Sequence, residues 1–124
     1  MVKAIGTDIV STARIEAALE RSGRKFAERI LAPLEMIQFD AAPSPAAFLA
    51  KRFAAKEAAA KALGTGIGRG ISWHHMHIEH DEMGAPLLIL RGAAAQRQAT
   101  LGSQKAHISI ADELDQALAF VVLS

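Results

Sequence analysis

The stretch FAAKEAAAKALGTG, from Phe53 to Gly66, decides more about this chain than any other segment. Its many alanines predict a helix, and their small side chains allow neighbouring backbone to approach closely. Phe53, Glu57 and Lys61 follow one another at i,i+4 spacing, so they lie along one line of that helix. The glycines at its end then terminate the helix. A carboxylate and an ammonium group one turn apart suit the binding of a metal together with a phosphate.

Length and composition limit the classes of protein to which this chain can belong. The chain has 124 residues, 51% of them hydrophobic, and we expect a single domain spanning residues 1–124. Its net charge of +1 argues against nucleic-acid binding, and the lack of cysteine excludes a disulfide scaffold and a cysteine nucleophile. No apolar run approaches the ~20 residues that cross a bilayer, and no cleavable signal opens the chain. We therefore expect a soluble, cytoplasmic protein.

Apolar periodicity predicts an α+β fold in which a small antiparallel sheet packs on the long helix. The segment Val2–Val10 is interpreted as a buried strand whose apolar members are Val2, Ile5, Ile9 and Val10. Helices follow, and the second half contains two hairpins with a short helix between them. The predicted helices span about 12–22, 26–31, 33–39, 45–63 and 92–101, and the later strands span 72–79, 86–90, 105–111 and 117–123.

Asp8 is an acidic residue at the end of the first strand, next to apolar Ile9 and Val10. It is either a capping aspartate or a carboxylate that needs a partner or a metal in apolar surroundings. Glu57 and Lys61 alone are better explained as a solvated surface pair. Together with Asp8, however, two carboxylates from different elements can contribute to the octahedral oxygen shell of magnesium. Lys61 is then a natural phosphate contact.

Other charged and glycine-rich segments around the helix carry weaker signals. Arg52 and Lys56 are interpreted as solvated charges, with Arg52 a second phosphate contact for a ligand lying along the helix. The segment GTGIGRG, from Gly64 to Gly70, lacks the residue order of a P-loop and follows a helix instead of preceding one. It is interpreted as a flexible loop beside a ligand.

Four histidines cluster on the predicted strand after this loop. Alternation would place His75 and His77 on one face and His74 and His80 on the other. Such an arrangement can bind transition metals, but no carboxylates support it, so exposed strand histidines are the preferred interpretation.

With GTDIV around Asp8 and KEAAAK from Lys56 to Lys61, the chain resembles the holo-[acyl-carrier-protein] synthases, the small phosphopantetheinyl transferases. The resemblance extends nearly end to end, through LAKRFAAKEAAAKALGTGI to HISIADE. It implies a trimer with active sites between subunits. It also implies a magnesium-dependent enzyme that transfers phosphopantetheine from coenzyme A to a serine of an apo-acyl carrier protein, leaving adenosine 3',5'-bisphosphate. Such a protein serves fatty-acid or polyketide synthesis.

The resemblance also implies roles for individual residues. Asp8 and Glu57 match the magnesium-binding acids, Lys61 matches the lysine that contacts the pyrophosphate, and these three form the catalytic set. Arg52 matches a position near the adenosine-side phosphate of coenzyme A. The remaining positions that match coenzyme contacts lie on the loop and on the strand bordering it: Gly64, Thr65, Gly66, His107 and Ser109.

The basic first helix matches the surface that docks the acidic helix of the carrier protein, through Arg14 and Arg21. One segment departs from the family pattern, because Ala111 and Asp112 stand where many members have Ser-His. No catalytic role is therefore assigned there. The histidine run around His75 is not a family feature either.

The sequence leaves some points open. The base that takes the serine proton is either Glu57 or a metal-held water. The competing hypotheses are a noncatalytic module that binds coenzyme A or a carrier protein, and a purely structural α+β domain. The presence of Asp8, Glu57 and Lys61 together favours the enzyme.

Overall fold

The computed structural model describes residues 1–124 and contains five helices and five strands. A single turn of 3-10 helix, Trp73–His75, precedes β2. The order of elements agrees with the α+β prediction. In chain order the elements are β1 Ala4–Ser11, α1 Thr12–Ser22, α2 Arg24–Ile30, α3 Pro33–Ala41, α4 Pro45–Ala62, β2 Met76–His80, β3 Pro86–Leu90, α5 Gly92–Thr100, β4 Ala106–Glu113 and β5 Gln116–Leu123.

The strands form two antiparallel sheets. The larger sheet has the order β1-β5-β4, and β2 pairs with β3 in a separate hairpin. Both predicted hairpins are therefore present, and the first turns at Asp81, whose carboxylate accepts the backbone N–H groups of Met83 and Ala85. The pairing of β1 with β5 brings the two ends of the chain together, with Ala4 opposite Leu123.

The long helix α4 packs directly against the three-stranded sheet. Its alanines Ala54, Ala55, Ala58 and Ala60 are fully buried. The closest approach is at Gly6 of β1, where an added Cβ would collide with the carbonyl oxygen of Ala58 and lie 2.6 Å from the amide nitrogen of Ala62. The glycine within the first strand therefore marks a close backbone approach. The contact places Asp8, two residues along β1, on the same face of the sheet.

The prediction that β1 is buried throughout is wrong. Val2, Ile5 and Ile9 are exposed, at 58%, 59% and 54% of their surface, whereas Val10 is buried. Helix α4 covers only one face of the sheet, so alternate residues of β1 point away from the core. Apolar residues of β5 continue this uncovered face, with Leu118 and Phe120 each 40% exposed. Together Ile5, Ile9, Leu118 and Phe120 define what we call the outer face of the sheet.

The predicted strand 72–79 begins later than expected. Ser72 instead caps a 3-10 turn, its hydroxyl accepting the backbone N–H of His74, and β2 starts at Met76. His74 and His75 therefore lie in the turn and not on a strand face. His74 Nε2 lies 2.9 Å from the carbonyl oxygen of Glu28, and His75 Nδ1 accepts the backbone N–H of Ser72. No three His, Cys, Asp or Glu side chains are grouped so that they alone could hold a metal ion.

A single hydrophobic cluster of 25 buried residues unites the helices with the covered face of the larger sheet and with the β2–β3 hairpin. None of the helices combines the length and apolar content that crossing a membrane requires.

Candidate active site

Asp8 and Lys61 meet where β1 crosses α4. The Lys61 ammonium donates to the Asp8 carboxylate at 3.0 Å and to the carbonyl oxygen of Thr7 at 3.0 Å. The Asp8 side chain is largely shielded, whereas 52% of the Lys61 side chain is exposed. The Lys61 ammonium is therefore accessible to solvent beside the Asp8 carboxylate, which β1 holds in place.

Glu57 lies one turn before Lys61 on the same helix and completes this group. Burial raises the pKa of the Glu57 carboxyl, and the negative charge of Asp8 raises it further, while Lys61 and Arg14 oppose the shift. The charge of Asp8 therefore acts on the Glu57 carboxyl from the neighbouring strand. The predicted convergence of residues distant in sequence is present in the structure.

The donor set suits a hard divalent cation. Two carboxylates that repel each other gain from a cation bound by both, and Asp and Glu oxygens are the ligands that magnesium prefers. Two protein carboxylates leave coordination positions for water and phosphate oxygens, which is the usual arrangement at magnesium–phosphate sites.

An aromatic cluster adjoins the carboxylates at the base of α1. The ring of Phe53 lies 5.1 Å from that of Trp73 and 6.5 Å from that of Phe26, measured between centroids. The Arg14 guanidinium stands over Phe53, 5.5 Å from the ring centroid. Arg14 and Arg21 are both exposed and lie seven positions apart, two helical turns, so they share one face of α1.

The interpretation of Arg52 and Lys56 as solvated charges is wrong. Only 4% of Arg52 and none of Lys56 is exposed. Both bind Glu35 of α3: Lys56 Nζ donates to Glu35 Oε1 at 2.6 Å, and Arg52 Nη1 to Glu35 Oε2 at 2.8 Å. Arg52 also borders a cavity of about 190 Å³ beside Phe48 and His80, so it remains a candidate ligand contact.

Glu35 has no predicted role in the sequence, yet it lies at the centre of this buried cluster. Besides the two cations, it accepts the backbone N–H groups of Ala32 and Ile78. Burial pushes the pKa of Glu35 upward, but Lys56 and these hydrogen bonds hold it below its ordinary value. For Lys56, burial outweighs the attraction of Glu35 and lowers the ammonium pKa. A glutamate two residues after Pro33 signals a helix start, but nothing local reveals its two cationic partners.

The predicted coenzyme loop follows α4 directly. Gly64 and Gly66 have positive φ angles of 79° and 64°, which favour glycine. The amides of Thr65 and Gly66 both donate back to the carbonyl oxygen of Ala60. The loop therefore folds over the last turn of the helix, close to Lys61.

His107 and Ser109 do not join this group within one chain. They pair with Val122 and Phe120 across β5, whereas Asp8 pairs with Ala119. Because directly paired residues share a face, His107 and Ser109 lie on the outer face, opposite Asp8. One chain thus carries two sets of predicted site residues on opposite faces of one sheet.

Comparison with known proteins identifies the family. Residues 4–121 match the family model described as the 4'-phosphopantetheinyl transferase superfamily. The chain belongs to this superfamily. It is 52% identical over 123 residues to the holo-[acyl-carrier-protein] synthase of Halorhodospira halophila, and the alignment covers 99% of this chain and 98% of that protein. The synthase of Vibrio cholerae El Tor matches with the same identity and coverage.

Solved structures of this superfamily share the fold. The holo-[acyl-carrier-protein] synthase of Neisseria meningitidis has a TM-score of 0.92 at 45% identity, covering 100% of this chain and 99% of that one. The Helicobacter pylori synthase in complex with coenzyme A has a TM-score of 0.83 at 37% identity, covering 97% and 99%. These comparisons confirm both the resemblance to the small phosphopantetheinyl transferases and the α+β fold class.

Proposed function

We propose that this protein is a phosphopantetheinyl transferase that moves phosphopantetheine from coenzyme A to a serine of an apo-acyl carrier protein. The observation that carries the proposal is the convergence of Asp8, Glu57 and Lys61 on one face of the sheet. It agrees with the superfamily match along nearly the whole chain.

The reaction transfers one phosphoryl group. The serine oxygen forms a bond to the phosphorus that bears pantetheine, and the bond from that phosphorus to the bridging pyrophosphate oxygen breaks. Adenosine 3',5'-bisphosphate leaves, and the serine proton passes to Glu57 or to a water molecule. Lys61, whose ammonium is exposed at the rim of the site, binds a pyrophosphate oxygen and neutralises developing charge.

Asp8 and Glu57 would hold Mg²⁺ in this proposal. When bound, the ion supplies positive charge against the pyrophosphate of coenzyme A and the leaving group. The chain supplies the two carboxylates on rigid elements, since β1 and α4 are locked together at Gly6. Beyond Lys61, the loop Gly64–Gly66 lies at the same end of the helix and is proposed to border the coenzyme.

The outer face of the sheet is proposed to pack against further copies of the chain in a trimer. Its apolar residues Ile5, Ile9 and Phe120 are exposed in the single chain. In this proposal, His107 and Ser109 come from a different copy than the one that supplies Asp8. The two sets of site residues on opposite faces of one sheet support a trimer with active sites between subunits.

The carrier protein is proposed to dock on α1. Arg14 and Arg21 offer two cations on one exposed face, and acidic carrier helices complement such a surface. Arg14 also stands over Phe53, beside Glu57, so a carrier bound here has its serine near the carboxylates.

Mass spectrometry tests the activity directly. Apo-acyl carrier protein is incubated with this protein, coenzyme A and Mg²⁺, and a mass gain of one phosphopantetheine group is expected. Asp8→Ala and Glu57→Ala should abolish the gain while leaving circular dichroism unchanged. Glu16→Ala, which removes an exposed carboxylate of α1, is the matched control and should remain active. A carrier that stays apo with the unaltered protein would refute the proposal.

Subunit mixing tests the shared site. Asp8→Ala and His107→Ala variants should each be impaired alone. After unfolding and refolding together, some sites would combine an intact Asp8 with an intact His107 from another copy. Regained activity in the mixture is expected, and a mixture no more active than its components would contradict sites between subunits.

A further inference from the structure

Arg97 of α5 reaches across to the end of α4. Its Nε donates to the carbonyl oxygen of Leu63 at 2.9 Å. Leu63 is fully buried and ends the helix, where the carbonyl groups of the last turn lack partners within the helix. A guanidinium at this position satisfies such a carbonyl and places a cation at the negative end of the helix dipole.

The same side chain lies beside the start of the following loop. Arg97 Nη2 lies 3.5 Å from where a Cβ on Gly64 would lie, and apart from the neighbouring residues of the chain no other heavy atom comes within 4 Å of that point. The backbone amides of the loop donate back to α4, from Gly64 to Lys61 and from Thr65 and Gly66 to Ala60, and the Thr65 hydroxyl donates to the carbonyl oxygen of Gly66 within the loop. Arg97 therefore links a separate element, α5, to the residues where this loop begins, through its hydrogen bond to Leu63.

We propose that Arg97 is a positioning residue that holds Gly64–Gly66 in the conformation that binds coenzyme A. This inference rests on the proposed function, in which that loop borders the coenzyme. Arg97 acts through Leu63 and Gly64 and belongs neither to the carboxylate site nor to the face of α1. Its removal should weaken coenzyme A binding without changing the chemical step or carrier docking.

The test combines steady-state kinetics with amide hydrogen exchange on Arg97→Ala. We expect the KM for coenzyme A to rise about tenfold, which corresponds to about 1.4 kcal/mol, with kcat and the KM for the carrier within twofold of the unaltered protein. The amides of Gly64, Thr65 and Gly66 should exchange faster. Arg97→Lys, which retains a donor and the charge, should restore part of the affinity.

Arg91→Ala is the matched control, because Arg91 is an exposed arginine at the other end of α5. It should leave the KM for coenzyme A and loop exchange unchanged. An Arg97→Ala protein with faster loop exchange and an unaltered KM for coenzyme A would overturn the inference. Arg97 would then stabilise the loop without affecting coenzyme binding. Failure of the unaltered protein to modify the carrier would instead refute the proposed function.

Discussion

Lys61 and Asp8 form an ion pair across 53 positions of sequence, with the ammonium 3.0 Å from the carboxylate. The pair connects Lys61, the last residue of the line formed by Phe53, Glu57 and Lys61 on α4, to β1. About half of the lysine side chain remains accessible. The same cation opposes the repulsion between Asp8 and Glu57. Its charge should therefore affect metal and coenzyme binding in opposite directions.

Lys61→Met should raise the affinity for Mg²⁺ alone about threefold and lower the affinity for coenzyme A at least tenfold. Removing the ammonium leaves two carboxylates less neutralised, whereas the pyrophosphate loses a cationic contact. Calorimetric titration with each ligand measures both effects. Lys25→Met, which removes an exposed lysine of α2, should change neither, and weaker Mg²⁺ binding by Lys61→Met would contradict the electrostatic argument.

Glu35→Gln should destabilise the protein by about 3 kcal/mol, because it leaves the buried Arg52 and Lys56 without an anion. Urea unfolding monitored by circular dichroism measures the loss. Adding Lys56→Met to this variant should recover part of it, since one uncompensated charge is removed. Exposed Glu20→Gln is the control, with an expected change below about 0.5 kcal/mol.

The stability of the unaltered protein should fall in acid more steeply than that of Glu35→Gln. The pKa of Glu35 is lower in the folded state than its ordinary 4.5. Its contribution is therefore fully present above that pH and is lost as pH falls through the lower, folded-state value. Unfolding curves between neutral pH and the acid transition measure the difference, and parallel pH profiles for the two proteins would contradict it.

Glu57 should show the opposite pH dependence. Its folded-state pKa lies above the ordinary 4.5, so folding is favoured below that pH and loses this contribution as pH rises through the raised value. Without metal, Glu57→Gln should therefore melt higher than the unaltered protein at pH 7 and lose that advantage in acid. Thermal melts with a chelator present test this, and a lower melting temperature at pH 7 would count against it.

Phe120→Glu should convert the proposed trimer to monomers, because it places a charge in the centre of the outer face of the sheet. Sedimentation velocity measures the change. Ile37→Glu is the matched control, since Ile37 of α3 is an exposed apolar residue, at 66%, away from the sheet. If Phe120→Glu still forms trimers, the interface between subunits lies on another surface.

Reversing the charge of Arg14 and Arg21 together should raise the KM for the carrier at least tenfold and reduce its salt dependence, with the KM for coenzyme A unchanged. Carrier titrations at low and high ionic strength measure both. Reversal of Arg29, an exposed cation of α2, serves as the control. Unaltered carrier kinetics in the double variant would place docking on another surface.

Local spacing determined much of this protein from sequence alone. The alanine-rich segment with charges at i,i+4 spacing predicts α4 and the line of Glu57 and Lys61 along it. Alternating apolar residues and turn residues predict both hairpins. Spacing along one element depends on backbone geometry only, so it can be read without knowledge of neighbours. The sequence also predicts the grouping of Asp8 with Glu57 and Lys61, because two carboxylates from different elements can share a magnesium ion and because the family resemblance matches these positions. The structure shows Lys61 paired with Asp8.

Tertiary structure alone decided which of these side chains are buried. Helix α4 covers one face of the sheet, which buries Val10 but exposes Ile5 and Ile9, although all three are equally apolar. Glu35 forms ion pairs with Arg52 and Lys56 of α4, a helix that follows it in sequence. These two residues, predicted to be solvated, are therefore part of a buried cluster. Burial and long-range pairing depend on which surfaces meet when the chain packs, and the residues of a single segment do not contain that information.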